Sequence, residues 1–250
     1  MKQTMVAITV GQVEDQKEFM IHQELICHHS RYFRGMFKGG CMEATTKKTC
    51  RPDTSPRIFG MFMKWLYTQQ LVHPAEPRDG KDATSEEWNR MDLLELYQFA
   101  DEHDVRELRN ETIFQWQKKD METQTFANTE IITKAFDVLP HHSPLCQYLV
   151  ITNVFHSLKL KDGVELEGLP AEFLSRIAFI SLSLIRKPMH RNSKDAVKNM
   201  PLWCKFHEHV DDAETSGCEA KRKSVMWGLP GVNWSQLAVE RAIALLDQCK

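Results

Sequence analysis

Hydrophobic and polar positions alternate at the start of the chain. Val6, Ile8 and Val10 are separated by Ala7 and Thr9, a period of two that predicts a half-buried strand ended by Gly11. After the polar turn Gln12 to Lys17, Phe19 and Ile21 resume the alternation, so the two runs predict a hairpin. At His22 the pattern passes into a small helix, and Ser30 opens a second one carrying Tyr32, Phe33, Met36 and Phe37. Gly39-Gly40 closes that helix, and Lys47 to Cys50 predicts a further strand stopped by Pro52. Ser55-Pro56 has the form of an N-cap with proline at the first helical position. Ile58, Phe59, Phe62, Trp65 and Leu66 then recur at helical spacing. Val72 to Arg90, with Pro74, Pro77, Gly80 and many charges, reads as an exposed, mobile loop. Leu93, Leu94, Tyr97 and Ala100 form another helical stripe. After Asp104, Val105, Leu108, Thr112, Ile113 and Trp116 form the next.

A second region begins near Glu122. Ile131, Ala135 and Val138 predict a helix stopped by Pro140. Ser143-Pro144 starts another with Leu145, Leu149, Thr152 and Phe155 on one side. Leu169-Pro170 introduces a third carrying Phe173, Leu174, Ile177, Ala178 and Leu184. From Arg186 the chain turns polar, through Arg186-Lys187, His190-Arg191 and Lys194. It ends in a predicted helix, Ser235 to Gln248, with Leu237, Ala238, Ala244 and Leu245 available for packing. The expected division is 1–120, 121–185 for a helical extension, and 186–250 for a polar tail.

Composition narrows the function classes. Among 250 residues, 32 Lys plus Arg balance 34 Asp plus Glu, a formal charge of −2 that argues against broad nucleic-acid or anionic-membrane binding. No apolar run approaches the roughly 20 residues that span a bilayer, and the N-terminal apolar stretch is too short for a secretory signal. Seven scattered Cys, an odd number, read as reduced thiols of a cytoplasmic or nuclear protein.

Residues from about Ala7 to Lys119 resemble the BTB/POZ domain, in the form common among fungal proteins. The resemblance rests on Phe19-x-Ile21-His22, Leu25-x-Cys27, Ser30-x-Tyr32-Phe33-Arg34, Gly39 and Glu43. It continues with Phe59, Phe62, Trp65-Leu66-Tyr67-Thr68, Leu96-Tyr97-x-x-Ala100-Asp101 and Leu108-Arg109-Asn110. It implies an α+β fold, a small β-sheet against helical hairpins, used for protein–protein association and not for catalysis. It further implies homodimers or partners such as the cullin scaffolds of ubiquitin ligases, a cullin being sought on Arg51 to Gln69 and the following loop. Many dimeric members have a helix before the first strand. Here strand residues begin at Val6, so a monomer or a different dimer is expected. The second region is similar to what trails this domain in fungal members, notably Ser143-Pro144-Leu145 and Leu169-Pro170-x-x-Phe173-Leu174.

Most chemically suggestive residues have a plain structural reading. His22, between strand and helix, suits a hydrogen bond to nearby backbone. Cys27-His28-His29 are adjacent on a helix end and fan apart, so they do not converge on an ion. His141-His142 suit the terminal carbonyls of a helix. The aromatic stripe Phe59, Phe62 and Trp65 reads as core, with Tyr67 and Thr68 exposed. Lys221-Arg222-Lys223 reads as a solvated run, the alternative being a phosphate contact. No phosphate loop, Gly-x-Ser-x-Gly elbow or His-Glu-x-x-His motif occurs, so neither an enzyme nor a small-molecule substrate is expected.

One constellation is more specific. Cys204-x-x-His207-x-His209, followed by Cys218, places two thiols and two imidazoles in a segment too polar for much core. Zinc favours such a set, and a loop closed by the metal would order the tail in a structural role. An ordinary loop with fortuitous Cys and His is the alternative. Fungal relatives are similar here too, with a Cys…His-x-His…Cys tail. The resulting expectation is a protein-interaction adaptor or assembly scaffold. The alternatives are a cullin-ligase substrate adaptor, or a transcription-associated regulator whose tail, residues 186 to 250, touches nucleic acid.

Overall fold

The computed structural model describes residues 4–71, 88–157, 167–186, 203–226 and 236–249. The chain divides into two compact units, 1–112 and 113–250. In the first, β1 (Met5–Val10) and β2 (Lys17–His22) pair antiparallel, Met5 opposite His22 and Val10 opposite Lys17. The alternation read from the sequence sets the buried face: Val6, Ile8, Val10 and Ile21 are fully covered and Phe19 nearly so. Gly11 ends β1 at φ +92°, where a Cβ would come within 2.8 Å of the Pro56 ring, so only glycine fits the turn.

Helices α1 (Gln23–His29) and α2 (Arg31–Lys38) follow at once, α1 burying Ile26 and Cys27 and α2 burying Phe33 and Phe37. The short α3 (Met42–Thr46) ends at Lys47 in the left-handed region, φ 57°. That turn delivers β3 (Lys48–Arg51), which pairs parallel to β1 with Ala7 beside Lys48. The sheet order is therefore β2-β1-β3. Next comes α4 (Pro56–Thr68), starting on proline at its first turn. The expected loop from Val72 falls largely outside the described residues. It ends at Asn89, whose side chain accepts from the Asp92 amide at 2.7 Å and starts α5 (Arg90–Glu102).

The core of this unit is aromatic. Phe59 meets Phe19 at 4.9 Å between ring centres, and Phe62 meets Phe99 at 5.0 Å. His103 completes the stack, 4.1 Å from Phe99 and 5.2 Å from Phe33, and is fully buried. Its Nδ1 lies 2.8 Å from the Phe99 carbonyl, which can only accept, so Nδ1 carries the proton. The buried Ser30 hydroxyl joins two helix ends: it accepts from the Phe33 amide at 3.0 Å and donates to the His103 carbonyl at 2.6 Å.

Helix α6 (Arg106–Thr123) contains the division between the units at Thr112. In the second unit, α7 (Thr129–Val138) is capped by Asn128, and α8 (Pro144–Ser157) is opened by the Ser143 hydroxyl, which accepts from the Cys146 amide at 3.3 Å. Helix α8 carries the expected Leu145, Leu149, Thr152 and Phe155. It is also buried on its other sides, at Cys146, Tyr148, Val150, Ile151 and Val154, which makes it the core helix of this unit.

Helix α9 (Ala171–Arg186) buries Phe173, Arg176 and Ile180, while Ala178, expected inside, is exposed. Arg176 is tolerated inside because its guanidinium donates to the His141 carbonyl at 2.9 Å and to Glu172 at 2.8 Å. Among its described residues, the expected polar tail is largely helical. It contains α10 (Asp212–Met226) and α11 (Gln236–Leu246), the latter burying Val239, Ala242 and Leu246, with the expected Ala244 exposed.

Replacing Ser30 by Ala removes a helix cap, a loss of about 1 kcal/mol, and takes the hydroxyl donor from a buried carbonyl. We expect urea denaturation to show a total loss of about 2 kcal/mol; a change under about 0.5 kcal/mol would contradict this role. Burial lowers the His103 pKa from 6.5 to about 4. The unfolded chain therefore binds the proton first as pH falls. The contribution is complete above pH 6.5 and is lost progressively down to pH 4, by about 3 kcal/mol at most. This acid-side slope of the urea midpoint should be absent from His103→Gln, as paired titrations of the two proteins will show.

Candidate functional site

Four side chains of the second unit meet. Cys204 lies in the 3-10 turn Trp203–Phe206, where the His207 amide donates to the Cys204 carbonyl at 3.1 Å and folds His207 back beside the thiol. His209 follows in irregular chain. The Asp211 carboxylate then accepts from the Glu214 amide at 2.8 Å, and Glu214 accepts from the Val210 amide at 2.7 Å. This reciprocal cap fixes where α10 begins, and so which side of the helix carries Cys218. The donor atoms of Cys204, His207, His209 and Cys218 all lie within 4.8 Å of one another, the one such group among the described residues. The expectation of a ligand-bearing loop is corrected in one respect: Cys218 comes from a helix.

The surroundings hold these groups in place. Cys204 and His207 are buried, and Cys218 Sγ lies 3.5 Å from His207 Nδ1. Arg222, one helical turn beyond Cys218, donates from Nε to that sulfur at 2.9 Å, and its guanidinium sits 4.1 Å from the centre of the Phe114 ring. Buried Phe206 packs edge-on to Tyr148 of α8 at 5.3 Å, and the Tyr148 hydroxyl donates to Asp120 at 2.9 Å. The hydrogen bond from Cys204, with those from His207 and Arg222, holds Cys218 below the ordinary thiol range, while that same bond and burial push Cys204 above it. Burial lowers His207, leaving the neutral imidazole that ligates metals. The arrangement offers a thiolate, a second sulfur and two imidazoles, a coordinating set with no nucleophile–base–acid relay.

The other residues singled out from the sequence are placed elsewhere. The Tyr67 hydroxyl accepts from the His22 amide at 3.2 Å and bonds the His22 ring at 2.8 Å, so His22 pairs with a side chain and not with the expected backbone. Cys27 donates to the Phe33 carbonyl at 3.6 Å, and burial raises its thiol. His29 packs edge-on to Trp65 at 5.4 Å. His141 donates to the Phe136 carbonyl at 3.1 Å in the last turn of α7, as its position before Ser143-Pro144 suggested. Phe59, Phe62 and Trp65 are core, whereas Tyr67 is 44% exposed. Within Lys221-Arg222-Lys223, expected to be solvated, Arg222 is buried, and the side chains of the two lysines lie outside the described residues. Sequence reasoning missed Arg222 as a partner of Cys218. The Cys218-x-x-x-Arg222 spacing carried that signal, but only for a chain known to be helical there.

The first unit leaves large apolar side chains uncovered, Met42 at 77% exposure together with Val13, Met20 and Tyr67. Lys64 and Thr68 lie exposed beside Tyr67 on α4, while Arg57, at the other end of the helix, pairs with Asp92. Among the described residues no helix is long and apolar enough to cross a membrane.

Comparison with known proteins agrees with this geometry. The family model of the BTB/POZ domain matches residues 3–113. Kelch-like protein 40b of Danio rerio is 34% identical over 55 residues, which cover 22% of this chain and 9% of that protein. The three-stranded mixed sheet, the helical hairpins packed on it and the match over residues 3–113 establish that this part of the chain is a BTB/POZ domain, a protein–protein interaction module.

Proposed function

We propose that the chain is a non-catalytic adaptor or assembly scaffold whose BTB/POZ domain, of the fungal form that its residues resemble, engages a protein partner through the exposed end of α4. The observation that carries this reading is the matched domain itself. Its aromatic stripe Phe59, Phe62 and Trp65 is packed inside, while Tyr67 is left outside with Lys64 and Thr68 beside it. A half-buried tyrosine rimmed by polar groups is the composition of an interface anchor. The partner class that the resemblance favours is a cullin scaffold docking on residues Arg51 to Gln69, which makes the chain a ligase adaptor. A homodimer is the second reading. Nucleic acid fits less well, because Arg222 of the basic run is engaged by Cys218 and Phe114.

Calorimetric titration of the full chain with the purified N-terminal region of a cullin tests the first reading, and light scattering of the full chain tests the second. Tyr67→Ala should weaken cullin binding about tenfold, the usual cost of truncating an interface anchor. Val13→Ala, in the exposed β1–β2 turn, should leave it unchanged. No cullin binding together with a monomeric chain would overturn both forms of the proposal.

A further inference from the structure

We propose that Cys204, His207, His209 and Cys218 bind one zinc ion in a closed, structural site that fastens α10 to the turn before it. Three independent features of the second unit carry this.

The first is distance. A tetrahedral zinc with Zn–S near 2.3 Å and Zn–N near 2.0–2.1 Å sets its donor atoms roughly 3.3–3.8 Å apart. The four donors here lie within 4.8 Å of one another, so a small inward movement of each side chain closes the shell.

The second is the state of the imidazoles. Nε2 of His207 and both ring nitrogens of His209 are buried without a hydrogen-bond partner. A neutral imidazole always carries a lone pair on one nitrogen, and burying it with neither donor nor water costs stability that a folded protein rarely concedes. A metal ion satisfies that lone pair. A disulfide between Cys204 and Cys218 would satisfy none of these nitrogens and would consume the sulfurs that hold the group together.

The third is the polar character of the first part of α10. From Asp212 to Ala220 every side chain is exposed or half-exposed, so this stretch buries no apolar group that would dock it. A single helix of this length is marginal in water without such docking. Beyond its N-terminal cap, this stretch reaches the preceding turn through Cys218, which meets His207 and Cys204.

The donor set also decides the metal and its role. Two sulfurs and two imidazoles select zinc over the oxygen-preferring cations, and two thiolates neutralise its charge. All four positions are filled by protein, which leaves none for water or substrate. Arg222 acts one step out, donating to Cys218 and orienting its sulfur, with the guanidinium fixed over Phe114.

The test uses the full chain, purified under reducing conditions from zinc-supplemented culture. Elemental analysis should find one equivalent of zinc. Replacement by Co2+ should give the strong visible bands of a tetrahedral ion and a thiolate-to-cobalt charge-transfer band in the near ultraviolet. Cys204→Ser and His209→Ala should lose stoichiometric metal, and Cys41→Ser, at an exposed thiol of the first unit, should keep it. Should the site variants not fold, the zinc content and cobalt spectrum of the unaltered chain decide alone. A chain free of zinc that takes up no cobalt would overturn the proposal, as would a weak octahedral cobalt spectrum without the charge-transfer band.

Discussion

A single buried hydroxyl sets the geometry of the BTB/POZ domain. Ser30 stands between α1 and α2, and its oxygen has two tasks that call for a group able both to accept and to donate. As an acceptor it closes the first turn of α2. As a donor it ties that turn to the end of α5, more than seventy residues away. The consequence runs through the aromatic core. With the His103 carbonyl held, the His103 ring lies flat against Phe99 and Phe33, and that stack carries Phe62 and Phe59 with it onto Phe19 of the sheet. Strand, hairpin and later helices are thus joined through one oxygen and one ring. A rigid frame of this kind lets the outer end of α4 present side chains without itself rearranging.

Much of this was legible in the sequence because local physics and tertiary packing agree. The alternation Val6, Ile8, Val10 predicted β1 and its buried face, and Ser30, Ser55-Pro56 and Ser143-Pro144 marked helix starts that occur where they were read. The aromatic stripe of α4 was legible as core for the same reason. The parallel pairing of β3 was not, since four half-exposed residues carry no register and the partner lies forty residues back.

Elsewhere tertiary context overrides the local pattern. In α9 the inward face runs through Phe173, Arg176 and Ile180, the arginine having a carbonyl and a carboxylate to satisfy it, and Ala178 lies on the opposite side. In α11 the inward face is Val239, Ala242 and Leu246, and Ala244 points out, a rotation that only the neighbouring helices determine. The helix α10 was read as tail because its composition gives no apolar stripe. Its start is set by the Asp211–Glu214 cap, a signal short enough to be lost among so many polar residues.

That same poverty of apolar groups explains why the cluster itself could be seen. In a core, cysteine and histidine are explained by burial; in a polar segment they need another reason to be there. Spacing alone brought Cys204, His207 and His209 into one turn, but not Cys218, whose approach depends on the helix phase fixed by the cap. Arg222 follows from the same phase, since four residues on it returns to the face of Cys218. Its charge is then directed at a sulfur and an aromatic ring inside the unit, away from solvent. Arg222 therefore contributes to the internal structure of the second unit.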